Sequence, residues 1–288
     1  MNTKVNNGRN RRSSLILFID DIINELLIIY RKFKFIYQCY IFKDFKFLKK
    51  NKKLFNKFAN QKFFIVGLGP SINNYDLLKL KDKNVIMVNR SFKLKEYEEL
   101  SPKFHLFIDP KLAMGIWPID YVEEILKKSN NVIIFLNADW YNLDKFSKYR
   151  SHQQIYWIKF HPVSLLNSQY SFDLTKSISS GSSVIDCAIT LTVYIGSKDI
   201  NILGVEGNGI SRLMCNQDSH WDGTDPDYKE HNSLLFANDM IGASRGIRQW
   251  HAISRELKKK KIEIFNLTKE GILDAYKYKD FEESLNLN

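Results

Sequence analysis

The chain is short of cysteine, of uninterrupted apolar runs and of the compact signatures that announce a metal site or a familiar nucleophile. Its three cysteines, Cys39, Cys187 and Cys215, lie far apart, with no pair at metal or redox spacing. A disulfide-stapled scaffold and a dithiol redox centre are excluded, and Cys187, set in an apolar run, reads as a small buried hydrophobe. The apolar-rich stretch 13–30 is broken by Asp20, Asp21 and Glu25, so it lacks the ~20 apolar residues that span a bilayer. No small-residue cleavage site follows it, and a signal peptide is not expected. Zinc-ligand spacing, a Gly-x-x-x-x-Gly-Lys phosphate loop and a nucleophile elbow are all missing. The cluster Asp218, Asp222, Asp225 and Asp227 does not match an EF-hand loop and reads as turn chemistry, so neither a metal nor a cofactor is expected.

What is present is enough for one α/β domain with an appendage: 288 residues, 44% hydrophobic and 26% charged. The net charge of +11 is unevenly placed. Residues 1–58 hold 14 basic and four acidic side chains, whereas the remaining 230 hold 29 and 28. The excess therefore belongs to a segment, 1–58, and not to the domain at 59–288. Within that segment aliphatic runs (Leu15–Ile19, Leu26–Tyr30) are followed by lysines interleaved with aromatics, as in Arg31-Lys32-Phe33-Lys34-Phe35 and Phe45-Lys46-Phe47. Such a pattern suits a membrane surface, with rings inward and ammonium groups among anionic headgroups. An amphipathic helix that packs on the domain or makes a homo-oligomer is the alternative. Nucleic acid is not expected as a partner.

From Lys62 onward the texture changes. Apolar runs recur at 63–66, 85–88, 104–108, 132–136, 155–158, 200–203 and 262–267, with helical stretches at 120–128, 183–195 and about 234–260. Strands alternating with helices predict a Rossmann-like α/β fold: a mostly parallel sheet of about seven strands with helices on both faces, preceded by a basic helical segment. In such sheets ligands bind beyond the carboxyl ends of the strands. Those ends are the places to look.

The run Phe63-Phe64-Ile65-Val66 stops at Gly67-Leu68-Gly69-Pro70-Ser71. Glycines there let backbone approach an anion closely, while Pro70 and Ser71 turn the chain; a plain β-turn is the simpler alternative. The next strands end in Asn89-Arg90-Ser91, Asp109-Pro110 and Asn137-Ala138-Asp139, and a later one in Gly204-Val205-Glu206. Ser177-Ile178-Ser179-Ser180-Gly181-Ser182-Ser183 precedes an apolar helix, and a serine-glycine loop at a helix N-terminus offers hydroxyls and free N–H groups to a phosphate or carboxylate. One serine would suffice as an N-cap. In the polar loop 216–228, His220 is the foremost candidate for a proton acceptor, with His231 close behind; His251, on an expected helix beside Trp250, reads as structural.

These motifs resemble the bacterial lipooligosaccharide sialyltransferases (glycosyltransferase family 42) and the related motility accessory factor and pterin-diphosphokinase-like domains. The resemblance runs over about 62–273. That family opens with a strand and Gly-x-Gly-Pro-Ser, matched by Gly67, Gly69, Pro70 and Ser71. Asn89 fits the asparagine that contacts the nucleotide donor. Asp109-Pro110 stands where the family has Asn-Pro, Ser179-Ser180-Gly181 where it has Thr-Ser-Gly, and Glu206 where a later strand ends in aspartate. Its Ser-His-Tyr-x-Gly-His appears as Ser219-His220-Trp221-Asp222-Gly223-Thr224, so the family's second histidine is replaced and His220 or His231 is left as base. Tyr228 lies in the right loop to meet a phosphate.

The resemblance implies a metal-independent, inverting transfer of a nonulosonic acid from a CMP-activated donor. The acceptor would be a hydroxyl of a bacterial surface glycan or glycolipid, met at the inner face of the membrane from the cytoplasm through residues 13–58. A diphosphokinase using ATP and Mg²⁺, or a non-catalytic nucleotide-binding module at the membrane, is the alternative.

Overall fold

The computed structural model describes residues 7–41, 45–161, 170–180, 183–223 and 232–286, with side chains from Leu15 onward. Its centre is β1 (Lys62–Val66), a strand whose alternate residues enter two different cores. Phe63 and Ile65 pack on one face, Phe64 and Val66 on the other. That double burial is why the run is continuously apolar rather than alternating.

Around it lie β2 (Val85–Val88), β3 (Phe104–Phe107), β4 (Ile133–Asn137), β5 (Ile155–His161), β6 (Ser177–Ser179), β7 (Asp199–Leu203), β8 (Glu263–Asn266) and β9 (Lys277–Tyr278). The order is β6-β5-β4-β3-β2-β1-β7-β8-β9, and every pairing is parallel. The sheet thus has nine strands, not the expected seven. Both additions are edge strands, three and two residues long. A Ser-Ile-Ser edge strand has no apolar run to betray it, and so Ser179 belongs to a strand rather than to the serine-rich loop.

The chain steps outward from β1 to β6, then crosses back to β7 on the other side of β1. The crossover is made by α5 (Val184–Tyr194), which packs beneath β1, β2 and β3. The direction of succession therefore reverses between β1 and β7, and the N-terminus of α5 comes up at the carboxyl rim near β2 and β3. The same face is covered by α7 (Ser233–Lys259) through Trp250, Ile253 and Leu257. The opposite face is covered by short pieces, among them the eight-residue helix Tyr121–Lys128.

The basic segment is not one appendage. Residues 46–54 form a 3₁₀ helix whose Leu48 and Leu54 are buried, and whose Asn51 amide donates to the carbonyls of Trp157 (2.9 Å) and Leu174 (2.7 Å). Before it runs α1 (Asn7–Ile41), and α1 is inside-out. The side chains turned inward recur at helical spacing and are mostly polar: Asp20, Asp21, Asn24, Ile28, Lys32, Phe35. Leu15, Ile16, Ile19, Ile23, Leu26, Leu27, Tyr30 and Phe33 face outward instead. Asp20 and Asp21 are neutralised by α7: Arg245 and Arg248 both bond Asp20, and Arg248 also bonds Asp21. The hydrogen bond from Arg245 foremost holds the Asp20 carboxyl below its usual range. Among the described residues no helix is long and apolar enough to cross a membrane.

Candidate functional site

Two glycine- or serine-rich corners lie on the carboxyl rim, and they differ in what fills them. At the end of β1 the loop 67–71 turns against the end of β7. Gly67 N–H donates to Leu203 O (2.7 Å) and Gly69 N–H to Gly204 O (2.8 Å). Ser71 N–H donates to the Glu206 carboxylate (2.8 Å), and Pro70 has no N–H to give. A β-carbon on Gly69 would overlap that same carboxylate, and one on Gly67 would overlap the backbone of Gly204. The glycines are thus required by the close approach of β1 and β7, and the anion at this turn is the protein's own Glu206.

The second corner is open. A cavity of about 250 Å³ is lined by Asn89, Asp109, Phe160, Ser180, Ser183 and Cys187, among others. Ser183 caps α5, its hydroxyl accepting from Ile185 N–H (3.1 Å), so the positive end of an eleven-residue helix faces the cavity. Ser180 N–H donates to His161 O (2.9 Å), and its hydroxyl lies 2.9 Å from Cys187 Sγ. Burial pushes the Cys187 thiol up to about 12, so this cysteine is a neutral wall. Asp109 caps the turn after β3, accepting from Lys111 N–H (2.9 Å).

Asn89 sits at a left-handed φ of 42°, a conformation that asparagine tolerates better than most residues. It is held there from behind by His105. The Asn89 carbonyl can only accept, so His105 Nε2 carries the proton (2.8 Å) and Nδ1 accepts from the Tyr97 hydroxyl (2.9 Å). Complete burial drives the His105 imidazole down to about 3, which keeps it in that neutral form. The Asn89 side-chain oxygen accepts from Ile108 N–H (3.4 Å), tying the ends of β2 and β3 together.

The loop carrying His220 is pinned across the first two strand ends. Trp221 N–H donates to Leu68 O (2.9 Å), Asn73 donates to Trp221 O (3.1 Å), and Arg90 pairs with Asp222 (3.3 Å). His220 itself forms a bridge with Gly223. It is therefore fixed beside the 67–71 loop, two residues from the partner of Arg90, the immediate neighbour of Asn89. Around it, Ser71 Oγ, Ser219 Oγ and Trp221 Nε1 are buried with no hydrogen-bond partner among the described residues. Buried polar atoms left over in this way are what a bound ligand or water satisfies.

The rim thus gathers Asn89, Asp109 and Ser180 into one cavity, and the loop carrying His220 is joined to it through the pairing of Asp222 with Arg90, the neighbour of Asn89. Gly67, Gly69, Pro70, Ser71 and Glu206 belong to the other corner, at the ends of β1 and β7. Ser179 points elsewhere: its hydroxyl accepts from Ser171 N–H (2.9 Å) and lies 3.4 Å from His161 Nε2. Gly181, Tyr228 and His231 lie outside the described residues.

Two participants escaped the sequence reading. Arg90 stacks 5.4 Å from the Trp117 ring, which Lys111 approaches at 5.6 Å, so the ends of β2 and β3 bring cations to the rim. Asp186 is fully buried on the first turn of α5, where its charge helps to raise the Tyr170 and Tyr276 phenols, after burial itself. A carboxylate inside the otherwise apolar 184–189 run was the signal available for it.

No curated protein sequence matches the chain. Among solved structures it is similar to the sialyltransferase CstII from Campylobacter jejuni in complex with a substrate analogue, cytidine-5'-monophosphate. That match has 18% identity and a TM-score of 0.45, covering 80% of this chain and 88% of the other. It is similar also to the MAf glycosyltransferase from Magnetospirillum magneticum AMB-1, at 12% identity and a TM-score of 0.47, covering 85% of this chain and 38% of the larger one. A family model, 6-hydroxymethylpterin diphosphokinase MptE-like, matches residues 40–207, more than half of the chain. The protein belongs to the 6-hydroxymethylpterin diphosphokinase MptE-like family.

Proposed function

We propose that the chain is a glycosyltransferase that moves a nonulosonic acid, of the sialic, pseudaminic, legionaminic or Kdo-like class, from a CMP-activated donor to a glycan or glycolipid hydroxyl. The observation that carries the reading is the cavity lined by Asn89, Asp109 and Ser180 at the N-terminus of α5, with the His220 loop tied through Asp222 to Arg90, the neighbour of Asn89. The donor phosphate takes the positive end of α5, where free N–H groups and the Asn89 amide receive its charge. Asp109 accepts from hydroxyl or amino groups of the nucleoside. The His220 imidazole removes the acceptor's proton, the acceptor oxygen bonds to the anomeric carbon, and the bond to the CMP oxygen breaks with inversion. No metal is required, because CMP leaves as a phosphate monoester whose charge the helix end takes up.

The inside-out α1 supports residence at a membrane surface. Fifteen large apolar side chains between Leu15 and Tyr40 are exposed, far beyond the scattered apolar residues of an ordinary soluble surface. Lys46 and Lys49, exposed just beyond the helix, add positive charge for anionic headgroups.

The family's description favours one other reading, a diphosphokinase that moves pyrophosphate from ATP with Mg²⁺. Asp109 and Glu206 would then be the metal-facing carboxylates. A thermal-shift comparison separates the two. A rise in Tm with CMP, unchanged by EDTA, supports the transferase; a rise only with ATP and Mg²⁺, abolished by EDTA, supports the kinase. Hydrolysis of CMP-, UDP-, GDP- and ADP-linked sugars in parallel then identifies the donor.

A further inference from the structure

A second cavity, of about 370 Å³, opens between α1 and the ends of β4, β5 and β6, next to the first and sharing Phe160 with it. Arg31, Lys34 and Gln38 of α1 form one wall, and Lys159, His161 and Ser177 the other. Lys159 is paired with Asp139. Arg31 and Lys34 have no carboxylate partner among the described residues, so the cavity keeps an excess of two positive charges. The floor is built with care. His161 is almost fully buried, with Nδ1 2.9 Å from the Ser177 hydroxyl. Burial first, then the nearby Lys32, Arg31 and Lys159 cations, push its imidazole down to about 4, so it stays neutral and the positive field is left for a guest.

We propose that this cavity binds a phosphate or diphosphate group carried by the acceptor saccharide. The inference rests on the transferase reading for the word acceptor, but the site itself does not depend on it. Its volume is roughly a dozen waters' worth, ample for a diphosphate with part of an attached sugar. Its position beside the donor cavity puts such a sugar within reach of the proposed chemistry. Arginine and lysine forks are the usual partners of phosphate. Two of the three cations, Arg31 and Lys34, precede the matched residues 40–207. The outward apolar face of that same helix brings the pocket to the lipid surface from which a lipid-linked phosphate would enter.

Calorimetric titration of the full chain with pyrophosphate tests the site directly. Binding should weaken at least tenfold in Arg31→Ala/Lys34→Ala, two exposed helix positions whose loss spares the fold, and CMP should not compete with it. Unchanged affinity in the double variant, or full competition by CMP, overturns the proposal. If pyrophosphate binding depends on Arg31 and Lys34 while CMP gives no thermal shift, the pocket stands and the donor reading falls. Vesicles distinguish the source of the phosphate. Pyrophosphate binding equal with and without phosphatidylglycerol vesicles identifies an acceptor phosphate, whereas loss of binding on vesicles, restored with phosphatidylcholine, identifies a lipid-headgroup site and overturns the acceptor assignment.

Discussion

The two corners of the carboxyl rim look alike in the sequence and behave differently in the fold. The 67–71 loop has the glycines and the serine of an anion cradle, yet three of its four N–H groups are spent on Leu203, Gly204 and Glu206. The serine-rich corner before α5 is less conspicuous, yet it faces an open cavity with a capped helix end. The difference arises from the crossover. Because β7 lies directly beside β1, the residues following β7 fall onto the β1 loop and fill it. The α5 end, carried across from β6, lies by the ends of β2, β3 and β5, where no side chain fills the space as Glu206 does at β1. A glycine-rich turn therefore marks a close approach, and its neighbours in space decide whether a ligand or a side chain makes it.

The largest effect is expected on the loop that joins the two corners. His220→Ala should lower transfer by about 10²–10⁴-fold while leaving the CMP-induced Tm shift intact. Full transfer activity in this variant would show that the proton goes elsewhere. At the filled corner, Gly69→Ala should destabilise the protein by about 1–3 kcal/mol through collision with Glu206, read as a fall in denaturation midpoint without ligand. Glu206→Ala in the same chain should restore part of that loss. If Gly69→Ala instead leaves the unliganded protein unchanged and only weakens CMP binding, the contrast between the corners collapses.

Ser183→Ala removes the cap of α5 and should cost about 1 kcal/mol of stability, with weaker CMP binding as its second consequence. Acid should act through the groups behind the rim. His105 and His161 are held neutral in the fold, at about 3 and about 4, while in the unfolded chain they titrate near 6.5. The unfolded state therefore binds more protons below that value. Stability is complete above about pH 6.5 and falls as pH drops toward 4 and then 3. A Tm scan from pH 8 to 4 checks this, and a flat profile would contradict the burial of both imidazoles. The smallest change in stability is expected on α1, where Ile16→Ser, Ile23→Ser and Leu27→Ser together should barely shift Tm yet prevent pelleting with anionic vesicles.

Much of the fold was legible because it rests on burial. Runs such as 63–66 and Val85–Val88 are strands flanked on both faces by core, and continuous apolarity is the pattern that such a position imposes. Edge strands carry no such demand, and β6 and β9 were invisible for that reason. The sequence placed Asn89 and Asp109 at strand ends because polar residues there follow apolar runs, Ser180 before an apolar helix, and His220 in a polar loop. It gave no sign of Arg90 reaching Asp222, because that pair spans 132 residues of chain.

What the sequence alone determined is the strand-helix alternation, the parallel sheet and the strand ends that carry Asn89 and Asp109, all of which follow from local periodicity. Only the tertiary structure decided which corner is open, since Glu206 reaches Gly69 through the adjacency of β7 and β1. It alone turned the polar stripe of α1 inward as well, because Arg245 and Arg248, far away in the chain, stand where Asp20 and Asp21 need a partner. Short-range pattern fixes what each segment is, while long-range pairing of charges and strand ends fixes what each segment faces.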